Sequence, residues 1–139
     1  MQVRTFMELD RQAVIELWKA CDLTRSWNDP DKDISRKLAF QKELFLVGEL
    51  QGKVIASAMA GYDGHRGSIY YLAVAPQFQN AGYGRDLMIE IEKLLTSIGC
   101  PKLNIVVRKS NRNILNFYTT LGYPVDDVVS LGKRLISDS

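Results

Sequence analysis

The chain has 139 residues, 46% of them apolar and 24% charged, and its 18 lysines and arginines nearly balance its 16 aspartates and glutamates for a net charge of +2. That length suits one domain over residues 1–139 with enough apolar material for its own core, and the near-neutral balance argues against a nucleic-acid or membrane-surface binder. The single histidine, His65, excludes multi-histidine metal sites, and Cys21 and Cys100 form no CxxC pair, so no metal is expected and the thiols read as reduced in a cytoplasmic protein.

Val3 to Phe6 reads as a first strand. Ala13, Val14, Leu17, Trp18 and Cys21 recur at helical spacing between Leu9 and Leu23, which predicts an amphipathic helix. A turn-rich loop, Arg25 to Asp31, follows, and Asp31 or Asp33 is expected to cap a second short helix carrying Ile34 and Leu38. Leu44 to Leu50 and Val54 to Tyr62 are strand-like and joined by Gln51-Gly52-Lys53, a hairpin signal. A second turn, Asp63 to Gly67, leads into a strand over Ser68 to Ala75. After Pro76 a long helix is predicted, with Leu87, Met88, Ile91, Leu94, Leu95 and Ile98 on one face and Gly99 at its stop. Leu103 to Val107 is expected as a strand, Asn111 to Leu121 as a helix stopped by Gly122, and Val128 to Ile136 as a last strand. Hairpins followed by crossovers predict a mixed α/β (α+β) sheet.

The segment between the fourth strand and the long helix carries most of the chemistry. Gly82 and Gly84 open that helix, where first-turn N–H groups lack intrahelical partners and the helix dipole is positive. Such a turn suits a phosphate. It is not a GxxxxGK[ST] loop, and Leu87 stands where a dinucleotide fingerprint needs its third glycine. Leu72-Ala-Val-Ala-Pro76 and Gln79-Asn80-Ala81-Gly82-Tyr83-Gly84 together resemble the fourth strand and the Q/RxxGxG/A motif of the GCN5-related N-acetyltransferase family. Asn111-Arg-Asn-Ile-Leu-Asn-Phe-Tyr118 resembles that family's later helix, and Trp27 to Pro30, Gly61 to Ser68 and Leu131 to Ile136 are similar to its bacterial YpeA-type branch.

The resemblance implies a mostly antiparallel sheet with helices on both faces, splayed between the fourth and fifth strands. It implies acetyl-coenzyme A as co-substrate, its pyrophosphate held by Gln79, Asn80, Ala81, Gly82, Tyr83, Gly84 and Arg85. Its pantetheine arm would pair with Leu72, Ala73 and Val74 as an added strand. A backbone amide of the fourth strand, that of Ala73 or Val74, would stabilise the developing oxyanion. Asn111 would cap the later helix and approach the cofactor. Tyr118, two turns on and on the same face, would donate a proton to the departing thiolate.

The general base is less evident. The fourth strand has Ile69, Tyr70 and Tyr71 where relatives often carry glutamate, and Val106 replaces the glutamate of ribosomal-protein acetyltransferases. Asp63 and His65 are the base candidates, with Asp29, Asp31, Asp33 and Glu49 as further acids. Trp27 and Asp29 are expected to form a wall of the acceptor pocket that attracts a cationic amine, with Tyr70 and Tyr71 as its floor. The expected protein is a monomer or homodimer acetylating a primary amine. The alternative is a non-catalytic acyl-coenzyme A-binding sensor or partner module, which the missing base would suit.

Overall fold

The computed structural model describes residues 1–139. A first strand, β1 (Gln2–Thr5), precedes two helices, α1 (Arg11–Ala20) and α2 (Pro30–Leu38). Three consecutive strands follow, β2 (Phe45–Leu50), β3 (Lys53–Tyr62) and β4 (Gly67–Val74), then α3 (Tyr83–Ser97), β5 (Leu103–Asn104) and α4 (Arg112–Thr120). The five strands form one sheet in sequence order. The first three pairings are antiparallel and β4–β5 is parallel.

Local chemistry accounts for most of these boundaries. Gln51 and Gly52 both have positive φ, 52° and 77°, the conformation a two-residue hairpin of matching twist requires. The cap of α2 is Asp29 rather than Asp31 or Asp33: its side chain accepts from the Asp31 amide at 2.9 Å, and Pro30 takes the first helical position. Asp10, ahead of α1, is buried and accepts from both guanidinium nitrogens of Arg4 at 2.8 and 2.9 Å, a bidentate pair tying β1 to the helix entry.

Alternation along β2 and β3 divides the core into two layers. Phe45, Val47 and Met59 face α1 and α2, with Phe6, Val14, Leu17, Trp18 and Ile34. Leu46, Ala56, Ala58 and Ala60 face the other way, against Leu87, Met88, Ile91 and Leu95 of α3 and Tyr118 of α4. Helices therefore cover both faces of the sheet.

The splay between the fourth and fifth strands is as expected, but β5 is shorter than Leu103–Val107 and the last strand is missing. β5 is paired only at Gly67↔Leu103 and Ser68↔Asn104. Beyond them β4 continues to Val74 without a partner on that side, so the strands diverge into a wedge. The expected last strand over Val128–Ile136 is absent. That segment has no regular structure, and Val128, Val129, Leu131, Leu135 and Ile136 are exposed. A strand exists only against an edge that supplies hydrogen bonds, and β5 ends at Asn104 without offering one. The tail instead ends on α2. The Asp138 carboxylate accepts from the Asp29 amide at 2.8 Å and from Arg36, and Lys32 Nζ donates to its carbonyl at 2.7 Å.

Candidate active site

The wedge between β4 and β5 opens into a cleft of about 900 Å³. Leu72 lies on its β4 side, Ile105 to Arg108 on its β5 side, and Asn111, Ile114 and Tyr118 of α4 along one wall. Asp22, Arg25 and Asn28 of the α1–α2 loop, with Asp33, Arg36 and Lys37 of α2, close the other end, next to Tyr70 and Tyr71.

The free edge of β4 is built by a bulge. Ser57 pairs with Ala73 but Met59 with Tyr70, so Tyr71 and Leu72 stand opposite Ala58 alone. Tyr71 takes a φ of 54° there, unusual for a non-glycine residue and costly unless its surroundings hold it. They do so from three sides. Its ring stacks on Trp18 at 3.7 Å between centroids, its carbonyl accepts from Ser57 Oγ at 2.8 Å, and its hydroxyl donates to Asp33 Oδ2 at 2.6 Å. Trp18 Nε1 in turn donates to the buried Ser57 Oγ at 2.9 Å. Burial, then the Asp33 contact, pushes the Tyr71 phenol above its ordinary pKa, so it stays a donor to Asp33.

Past the bulge, Ala75 N donates to Ile55 O on β3 at 2.8 Å. By strand alternation Ala73 faces β3 as well, while Leu72 and Val74 face the open side. The Val74 carbonyl already accepts from Gln79 Nε2 at 2.9 Å and Cys21 Sγ at 3.2 Å. The Val74 amide and the Leu72 main chain are therefore the groups that an added strand meets.

The glycine turn fits a phosphate in its details. No backbone carbonyl accepts from the amides of residues 80–85. Gly82 caps α3 with a φ of 88°, which glycine alone adopts without strain. Gly84 serves close packing instead, because a Cβ there would lie 3.1 Å from the Phe117 ring, which would have to shift to admit it. Asn80 is also left-handed, at 65°, which its short polar side chain tolerates. Tyr83 packs edge-on to Phe78, 6.5 Å between centroids, and Ala81 and Arg85 are exposed, the latter without an ion pair. These residues, Gln79 to Arg85, lie at the end of β4 outside the residues lining the cleft itself.

On α4, Asn111 caps the helix by accepting from the Ile114 amide at 3.3 Å. Tyr118 is buried, edge-on to Phe117 and Tyr123 at 5.1 and 5.9 Å, and its hydroxyl has no hydrogen-bond partner within the chain. Burial raises its pKa above the ordinary value, so the phenol remains protonated near neutral pH.

Asp63 and His65 are not brought to the cleft. The Asp63 carboxylate accepts from the His65 and Arg66 amides at 2.8 Å each, bracing its own exposed hairpin, and those bonds lower its pKa. Glu49 pairs with Arg4 on the far strands. Trp27 lines a smaller neighbouring hollow with Arg134 and Ile136, Asp29 is the α2 cap, and Asp31 is held by Arg11 at 2.9 Å. Of the acids the sequence offers for the base, Asp33 is the one that lines the cleft, and the sequence names it only among several further acids and cap candidates. Its link to Tyr71 spans 38 positions and no local pattern announces it.

A β-bulge with a free strand edge, an unpaired amide turn at a helix start and a buried phenol facing the same wedge describe an acyl-group transferase. The acetyltransferase (GNAT) family model matches residues 11–123, and the chain belongs to that family. Over 138 residues it is 51% identical to an acetyltransferase of Yersinia enterocolitica, covering 99% of this chain and 98% of that one. Its fold is similar to those of an aminoglycoside 6'-N-acetyltransferase of Acinetobacter haemolyticus and a glucosamine-6-phosphate N-acetyltransferase of Arabidopsis thaliana. The former aligns with a TM-score of 0.75 at 16% identity, over 98% of this chain and 100% of that one. The latter aligns with a TM-score of 0.68 at 20% identity, over 97% and 98%. The chain is thus an acetyltransferase, and no helix in it is long and apolar enough to cross a membrane.

Proposed function

We propose that the chain moves an acetyl group from acetyl-coenzyme A to a primary amine by direct attack, with both substrates bound together. The observation that carries this reading is the single cleft that Leu72, Tyr118 and Asp33 all line, bringing a free strand edge, a protonated phenol and an acceptor-side carboxylate to one space. Acetyl-coenzyme A supplies an activated thioester acyl group. The amides of residues 80–85 and the dipole of α3 hold its pyrophosphate. The Leu72 and Val74 main-chain groups align the pantetheine arm, and the Val74 amide points to where negative oxygen develops. Tyr118 delivers a proton to the departing sulfur.

Asp33 fills the role first sought at Asp63 and His65. Its oxygens accept from Tyr71 Oη at 2.6 Å and Arg36 at 3.0 Å, and a carboxylate retains further lone pairs for an incoming ammonium. The ammonium docks there and passes one proton to the Asp33 carboxylate, leaving a neutral amine to attack; the second proton lost by nitrogen replaces the one that Tyr118 gives to sulfur. A non-catalytic binding module would suit a cleft without a base, and the place of Asp33 in the cleft supports the transferase reading instead. The experiment is thiol release from acetyl-coenzyme A, corrected for hydrolysis, across amines, amino acids and peptides. Release dependent on amine is expected; heat stabilisation by acetyl-coenzyme A without release from any amine selects the sensor instead.

A further inference from the structure

The acceptor end of the cleft differs in charge from what the loop acids suggested. Asp29 is spent on the α2 cap and Asp31 on Arg11. What lines the cleft is Arg25, Arg36, Lys37 and Arg108 against Asp22 and Asp33. Arg36 is neutralised by Asp33 and Asp138. The other three are less fully compensated: Arg108 has no ion pair, Lys37 has only the charge of Glu43 nearby, and Arg25 only that of Asp22. Arg25 donates to the Asp22 and Thr24 carbonyls at 2.8 Å, with the highly exposed Asp22 carboxylate only at 3.7 Å. Lys37 donates to the Ala60 carbonyl. Carbonyls satisfy donors without cancelling charge.

Arg108 is the least committed. It makes no hydrogen bond and no ion pair through its side chain, and its Cζ lies 5.9 Å from the centre of the Trp27 ring. That contact joins the β5–α4 segment to the α1–α2 loop across the mouth of the cleft. A cation–π contact orients a guanidinium while leaving its five N–H donors for a ligand, in the fork that matches carboxylate or phosphate.

We infer that the acceptor is an anionic amine, a primary amine carrying its own carboxylate or phosphate, whose anion is received by Arg108 and Arg25 while its amine lies at Asp33. The inference rests on the transferase reading above and narrows its substrate class. Polycationic amines are disfavoured by the same incompletely compensated charges. The fold serves both classes, since an aminoglycoside is a cationic acceptor and glucosamine-6-phosphate an anionic one.

The test compares matched acceptors: phenylalanine with phenylalaninamide and phenethylamine, and O-phosphoethanolamine with ethanolamine. The first set reports a carboxylate and the second a phosphate. In at least one set the anionic member is expected to have a kcat/KM about tenfold or more above its neutral partners, the effect of one charge-assisted contact. Arg108→Ala should erase that preference by raising KM for the anionic amine, with KM for the neutral one and the affinity for acetyl-coenzyme A unchanged. Arg25→Ala should act in the same direction. Equal or better turnover of the neutral amines overturns the inference. So does an Arg108→Ala variant that weakens acetyl-coenzyme A rather than the acceptor, since the cation then serves the cofactor. If no amine is acetylated, the transferase reading fails instead. Calorimetric binding of the same pairs to the coenzyme A-loaded chain then decides the anion preference by itself.

Discussion

Tyr118 combines two properties that usually conflict: it is buried in the α4 layer of the core, yet its hydroxyl is left without a partner at the cleft. Core packing fixes the ring between Phe117 and Tyr123, and the unpaired hydroxyl is free to give up a proton. Tyr118→Phe keeps the ring and removes only the donor. Turnover is expected to fall about a hundredfold, the usual contribution of a positioned acid, while calorimetry with acetyl-coenzyme A gives a nearly unchanged Kd. Loss of both together would count against the acid role. Because burial holds the phenol above its ordinary value, its proton is retained as pH rises past neutrality. Any fall in rate between pH 7 and 9 must therefore come from another group, and the same alkaline limb should persist in whatever activity Tyr118→Phe retains. Asp33 shows the opposite balance between chemistry and legibility. Nothing near it in the chain distinguishes it from Asp29 or Asp31, and only the hydroxyl of Tyr71, itself forced into position by a bulge and by Trp18, selects it.

The turn between β4 and α3 is the element whose role is most local in origin. Its backbone shape follows from Gly82 and Asn80, and its close approach to α4 from Gly84 against Phe117. Gly82→Glu leaves open space around the new side chain but forces a positive φ on a residue that disfavours it. It also places a carboxylate where phosphate must lie. Acetyl-coenzyme A binding is expected to vanish by calorimetry while far-UV circular dichroism remains that of the native chain; retained binding would remove this turn from the cofactor site. The helices, the Asn111 cap and both hairpin turns were legible for the same reason, that each depends on residues a few positions apart. β5 was not. Leu103 to Val107 has strand composition throughout, but only two of its residues pair, because the divergence that opens the cleft takes its neighbour away.

Across the whole molecule, the tail beyond α4 replaces an expected strand with a strap tied at Asp126 to Lys102, at Arg134 to Asn28 and most firmly at Asp138. Asp138 is buried against α2, and Arg36 with the Asp29 amide holds its carboxyl down at about 2. With an ordinary value near 3.9, this contact contributes fully above about pH 4 and is lost as pH falls through about 2. Asp138→Asn should release the tail at neutral pH: amide exchange at Asp29 accelerates and protease cutting within 124–137 increases, while the β2–β4 core keeps its protection. Unchanged exchange at Asp29 would mean that Lys32 and Arg134 hold the tail without the carboxylate. Up to α4, the order of elements and the glycine turn could be read directly from the chain, since periodicity and turn chemistry act between near neighbours. The acid of the cleft and its surplus of cations could not. They arise where β4 parts from β5 and where residues 38 or more positions apart meet, as in Tyr71 with Asp33 and Trp27 with Arg108. Such meetings are set by packing and by which strand edges remain unpaired, and neither is encoded in any short stretch of residues.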